Sequence, residues 1–143
     1  MNKNLFVVER VFECYWTDDI NCATTTLRIL SEFFEIELSS QVIDAAVGMH
    51  GAGKYGAQCG LVEGSLMFLG IFGRLNNLSD DRTTESCKEF AKEFECKFGS
   101  LQCSIIRPER FHPDNPPHIC EPLTCKAVEF SINFISDLKD RIQ

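Results

Sequence analysis

The stretch Cys59-Gly60-Leu61-Val62-Glu63-Gly64-Ser65-Leu66-Met67-Phe68-Leu69-Gly70-Ile71-Phe72 decides the fold. Glu63 is its only charge, and on a helical projection its apolar residues cover nearly every side. Such a helix belongs at the buried centre of its domain. Its apolar run, Leu66 to Phe72, falls far short of the roughly 20 residues that span a bilayer. Gly64 and Gly70 each cost helix propensity, about 1 kcal/mol relative to alanine. Close packing against a neighbouring element is therefore expected at both.

The flanking segments keep the helical spacing. Leu5, Val8, Val11, Phe12 and Tyr15 recur at three and four residues and predict a first amphipathic helix. Asp18, Asp19 and Asn21 are cap-type residues before a second, striped by Ala23, Leu27, Leu30 and Phe34. Ser39 or Ser40 opens a third through Val42, Ile43, Ala46 and Val47. Gly48, Gly51, Gly53, Gly56 and Gly60 then lead into the central helix. A polar turn over 76–81 precedes a fifth helix over 81–98, with Cys87, Phe90, Ala91, Phe94 and Phe98 on one face and Gly99 at its end. Ser100 heads a short segment over 101–106, and all five prolines fall in a structured loop over 107–122. The last helix runs from near Pro122 toward Arg141, with Val128, Ile132, Ile135 and Leu138 inward. Strand-type alternation is scarce. The expectation is an all-α, single-domain helical bundle over 1–143, of about five to six helices, with a Gly-rich loop before the central helix.

Apolar residues make up 44% of the 143, which suits a packed core and argues against disorder. Lys and Arg number 14 against 21 Asp and Glu. The net charge of −7 argues against a surface that tracks nucleic-acid phosphates. Glu9, Arg10 and Glu13 break the N-terminal apolar stretch, so no export signal is expected there. A soluble, cytoplasmic protein without nucleic-acid or membrane partners is expected.

Eight cysteines stand out against that background, at 14, 22, 59, 87, 96, 103, 120 and 125. In a reducing compartment they point to metal binding or redox chemistry rather than a disulfide framework. No Cys-x-x-Cys occurs, which removes the zinc ribbon, the thioredoxin-type motif and covalent haem attachment. Cys22, Cys59, Cys103 and Cys125 each fall in or near the first turn of a predicted helix. Free N–H groups and the positive end of the helix dipole lie there, and both favour a thiolate. Cys14 and Cys87 read as small core hydrophobes and Cys96 as a solvent-facing thiol. Cys120 is ambiguous: with His118 it can reach a metal, and with Cys125 it can bring two thiols together.

Gly51-Ala52-Gly53-Lys54-Tyr55-Gly56 matches the dinucleotide fingerprint in letters only, because a helix precedes it where a strand should. A steric role fits better, with Gly51, Gly53, Gly56 and Gly60 shaping a tight junction around Cys59. Lys54 adds positive charge nearby. His50 reads as a helix-end histidine, or as a proton donor near Cys59.

These residues resemble the C_GCAxxG_C_C family of redox-active proteins. The resemblance runs from Asn21-Cys22-Ala23 through the glycine stretch and Cys59-Gly60-Leu61-Val62-Glu63-Gly64 to Phe98-Gly99-Ser100, Cys103 and Cys125-x-x-Val128. It implies Cys22, Cys59, Cys103 and Cys125 as signature cysteines, with Cys120 competing for the last place. Leu61 stands where the family has alanine. Glu63 replaces a small residue, and its charge would oppose ionisation of a nearby thiol.

Three functions stay open. The first is a thiol redox protein, an oxidoreductase in which Cys59 attacks and Cys22, Cys103 or Cys125 resolves, serving an unknown redox partner. It expects a Cys59 pKa below the free-thiol value. The second is a metal module, zinc or iron–sulfur, with Cys22, Cys59, Cys103 and Cys125 as ligands and Cys120 as substitute. The third is a non-catalytic helical domain that binds a partner. Pairing of apolar faces into a homodimer is compatible with each.

Overall fold

The computed structural model describes residues 2–109 and 114–143. The described residues contain eight α-helices and no strand. Five are long: α1 (Lys3–Phe12), α2 (Cys22–Phe33), α5 (Gly60–Leu75), α6 (Asp80–Phe98) and α8 (Glu121–Ile142). Three are a turn or so in length: α3 (Ser40–Ala45), α4 (Gly51–Lys54) and α7 (Cys103–Ile106). The all-α class is as expected. Of the loop over 107–122, residues 110–113 lie outside the described residues. No described helix is long and apolar enough to cross a membrane.

Capping sets most of the boundaries. Asn2, Asn21 and Ser79 accept hydrogen bonds from the N–H groups of Leu5, Thr24 and Arg82 and so start α1, α2 and α6. Gly99, at φ 92°, ends α6 in the left-handed conformation that glycine adopts at least cost. The first helix runs on through a π-helical turn, Glu13–Thr17, in which the Asp18 N–H donates to the Glu13 carbonyl. Val7, Val11, Cys14 and Tyr15 form its buried face, whereas Leu5, Val8 and Phe12 of the expected stripe are exposed.

The central helix is α5. Leu61, Val62, Phe68, Leu69 and Phe72 are buried on it, packed on α2, α6 and α8. Glycines let these helices approach closely. A β-carbon on Gly64 would lie 2.6 Å from the Ala23 carbonyl oxygen of α2. Gly73 faces the Thr83 side chain of α6 in the same way. Gly70, expected to pack tightly, faces open space, and Gly73 takes that role. Between α5 and α8 the buried hydroxyls of Ser65 and Ser131 lie 2.8 Å apart, each also within bonding distance of a carbonyl of its own helix; one hydroxyl donates to the other, which donates to its own carbonyl. Phe90, Phe94, Phe130 and Phe134 close the far side with edge-to-face contacts.

Candidate functional site

The segment entering α5 pairs with the segment entering α7. The Cys59 N–H donates to the Leu101 carbonyl at 2.8 Å, and the Cys103 N–H donates to the Ala57 carbonyl at 2.7 Å. Between them, Gln58 and Gln102 form an isolated antiparallel bridge. This short ladder ties Cys59, the N-cap of α5, to Cys103, the first residue of α7.

Two of the glycines expected to form a junction around Cys59 pack instead on Cys103 and Cys22. Gly51 to Lys54 all have positive φ, so α4 is a left-handed turn. Gly51 packs on Cys103: a β-carbon there would sit 3.2 Å from Cβ and 3.3 Å from Sγ. Gly60 packs on the Cys22 sulfur and would overlap it if it carried a side chain. Gly56, at φ 97°, accepts from the Ser104 N–H through its carbonyl. Gly53 faces open space, so its contribution is the turn itself.

All eight cysteines are free thiols. Four of them feel one another's charge: Cys22 is acted on by Cys59, Cys103 and Cys120, and Cys59 by Cys103 and Cys120. Each of the four opens a helix. Cys22 and Cys103 are first residues of α2 and α7, whereas Cys59 and Cys120 are the N-caps of α5 and α8. Cys125 lies a turn further into α8, and its charged neighbours are Glu121 and Glu129, not thiols. The reason is the start of α8: the helix begins at Glu121, with Pro122 in its first turn, and that start belongs to Cys120. Cys14 is fully buried in the core, Cys87 is half-buried against it and Cys96 is exposed.

Burial governs these thiols. It pushes Cys59 up to about 12, and the N–H groups of Leu61 and Val62 at the helix start offset only part of that. Cys22 is raised further still, by burial and then by the neighbouring thiols. The expectation of an acidified Cys59 is thus reversed. Cys59 is only 5% exposed, and desolvation of the thiolate outweighs the helix dipole. Glu63, suspected of opposing ionisation, accepts a hydrogen bond from Gln58 instead. Cys103 and Cys120 are also raised by burial, but the Arg107 guanidinium pulls both down.

A cleft of about 810 Å³ opens beside the cluster. Cys22, Cys103 and Cys120 line it, and Cys59 does not. One wall comes from residues expected in other roles: Tyr15 on the stripe of the first helix, Asp19 as a cap and His118 as a metal-reaching partner of Cys120. Tyr15 lines the cleft, bonds the Thr124 hydroxyl at 2.7 Å and feels the charges of Cys22, Cys120 and Cys59. His118 stacks on Tyr15 and bonds Asp19 at 2.7 Å. Asp19 and His118 both have positive φ, a strained backbone of the kind found at functional sites. The wall joins two distant parts of the chain, a juxtaposition that periodicity within either part does not specify. His50 also lines the cleft, its ring held toward the neutral form by burial and then by Lys54. Among the described residues no three His, Cys, Asp or Glu side chains stand as a set that would hold a metal ion. The zinc and iron–sulfur alternatives therefore draw no support from the geometry.

A family model described as "Putative redox-active protein (C_GCAxxG_C_C)" matches residues 20–133, a span that contains every cysteine of the cluster. Neither the curated proteins nor the solved structures compared with the chain gave a match.

Proposed function

The chain belongs to the C_GCAxxG_C_C family, and from that premise we propose that it is a thiol redox protein in which two cleft cysteines pass between dithiol and disulfide. One observation carries this reading: four free cysteines, drawn from four separate helix starts, lie within range of one another's charge beside an open cleft. Core cysteines need no such convergence.

Cys103 and Cys120 are the reacting pair. Both line the cleft, and Arg107 favours the thiolate of each. One thiolate attacks a sulfur of the substrate's S–S bond, which breaks and releases a thiolate that takes up a proton. The second protein thiol loses its proton and displaces the remaining substrate sulfur from the mixed disulfide. Two protein thiols lose two electrons and two protons, and the substrate gains both. Cys22, which also lines the cleft, and Cys59, which does not, are alternative resolving thiols.

Titration of the reduced protein with oxidised dithiothreitol, followed by mass-spectrometric mapping, tests this. A reversible intramolecular disulfide among Cys22, Cys59, Cys103 and Cys120 is expected, with Cys14 and Cys87 remaining thiols. Absence of such a disulfide, or pairing only outside this set, would overturn the reading.

A further inference from the structure

The chain is acidic overall, yet its cleft is not. Among the described residues, Arg28, Lys54 and Arg107 line it against the single carboxylate of Asp19. Asp19 is itself engaged by His118 at 2.7 Å. Arg28 meets Asp18 only at 3.8 Å, with both side chains more than a third exposed, a contact that water largely screens. Lys54 has no carboxylate partner among the described residues. Its place is set by a left-handed backbone, φ 70°, which a lysine adopts only at a cost. The turn that holds Lys54 at the rim is the same one whose Gly51 packs on Cys103. Cations gathered in a concave site on an otherwise negative molecule focus its field and draw anions in.

We infer that the substrate of the cleft thiols is a low-molecular-weight disulfide carrying negative charge, held by Lys54 and Arg28 while Cys103 or Cys120 attacks its S–S bond. This rests on the thiol redox reading above and adds the substrate's charge and size class. The cleft's volume suits a small molecule, since ligand pockets typically measure about 300–1,000 Å³. The electron balance is the one already given: the anionic disulfide is the oxidant and leaves as two thiols.

The test is a single-turnover comparison of three small disulfides of similar length and different charge. They are 3,3′-dithiodipropionate (dianion), 2-hydroxyethyl disulfide (neutral) and cystamine (dication). Each is mixed with the reduced full chain, and each rate is divided by that of the same disulfide with free dithiothreitol, which removes differences in leaving-group pKa. The expected order is dianion, then neutral, then dication. The dianion should lead the neutral compound by about tenfold at low ionic strength and less in high salt. In Lys54→Asn, where asparagine tolerates the left-handed backbone, the dianion-to-neutral ratio should fall toward one. Arg28→Gln gives a second test if that variant folds poorly. If the neutral disulfide oxidises the cleft pair but the charge order is flat or reversed, this inference fails and the thiol redox reading stands. If none of the three produces an intramolecular disulfide, both fail together.

Discussion

Gly60, the first residue of α5, lies directly against the sulfur of Cys22, the first residue of α2. A β-carbon at Gly60 would overlap that sulfur and approach the Ala23 backbone nitrogen to 3.0 Å. Gly64, one turn on, meets the Ala23 carbonyl. The two glycines thus set the closest approach of the two helices that carry half of the thiol cluster. They also explain why a helix penalised by glycine is kept at the centre of the fold.

Gly60→Ala should therefore destabilise the protein by about 1–3 kcal/mol, the usual cost of overpacking a filled interior. It should also change the reactivity of Cys22, whose sulfur must move. Urea unfolding gives the first quantity and thiol-alkylation mass spectrometry the second. Wild-type stability together with unchanged labelling would refute the close packing.

Cys120 and Cys125 are expected to separate cleanly. Cys120→Ser removes a thiol that lines the cleft and feels Cys103, so the rate of intramolecular disulfide formation should drop at least about tenfold, a wrong first partner being left for attack. Cys125→Ser should leave the same rate within about twofold, because its charged neighbours are Glu121 and Glu129. Stopped-flow oxidation of the two variants decides the matter, and the reverse ranking would return the last signature place to Cys125.

Thiol reactivity should climb with pH and show no plateau near neutrality. Burial raises Cys103 and Cys120 above the ordinary thiol value despite Arg107, so at pH 7 both are mostly protonated. The thiolate fraction then grows about tenfold per pH unit, giving a log rate–pH slope near one between roughly pH 7 and 8.5. A rate already flat at pH 7 would show that some cleft thiol is acidified after all.

Alkaline pH should weaken the reduced fold. For Cys59 the folded pKa is about 12, against roughly 8.5 in the unfolded chain. Above the unfolded value the unfolded state gives up the proton while the folded state keeps it. The contribution to stability is therefore complete below about pH 8.5 and is lost as pH rises toward 12, at about 1.4 kcal/mol per pH unit. Cys22, raised in the same direction, adds to the slope. Urea unfolding of the reduced protein at pH 8 and pH 10 measures the loss, and Cys59→Ala should reduce it. Identical slopes in wild type and variant would contradict a buried, protonated Cys59.

Tyr15→Phe should cost about 1–2 kcal/mol, since the fully buried Thr124 hydroxyl would lose its Tyr15 partner. The double variant Tyr15→Phe/Thr124→Val should recover part of that loss in a denaturant double-mutant cycle. Strict additivity of the two single changes would mean that the hydroxyls do not act as a pair.

Much of the helical framework was legible from local pattern alone. Asn21 and Gly99 are chemical instructions to start and stop a helix, and the Phe90–Phe94–Phe98 spacing states which face turns inward. Short-range hydrogen bonding enforces these features within a few residues, so a linear reading recovers them. By itself the sequence determined the all-α class, the buried central helix, and the placing of Cys22, Cys59 and Cys103 at helix starts. Only the tertiary structure decided which helix-start thiol of α8 joins them, that Cys59 lies behind the cleft wall, and that Tyr15 and the Asp19–His118 pair complete it. Those outcomes depend on burial and on contacts across a hundred residues of chain, such as Tyr15 with Thr124 and Asp19 with His118. The same holds for the thiol pKa values. A helix start argues for an acidic thiol, but desolvation is set by whatever packs over the sulfur, and at Cys59 desolvation is the larger effect.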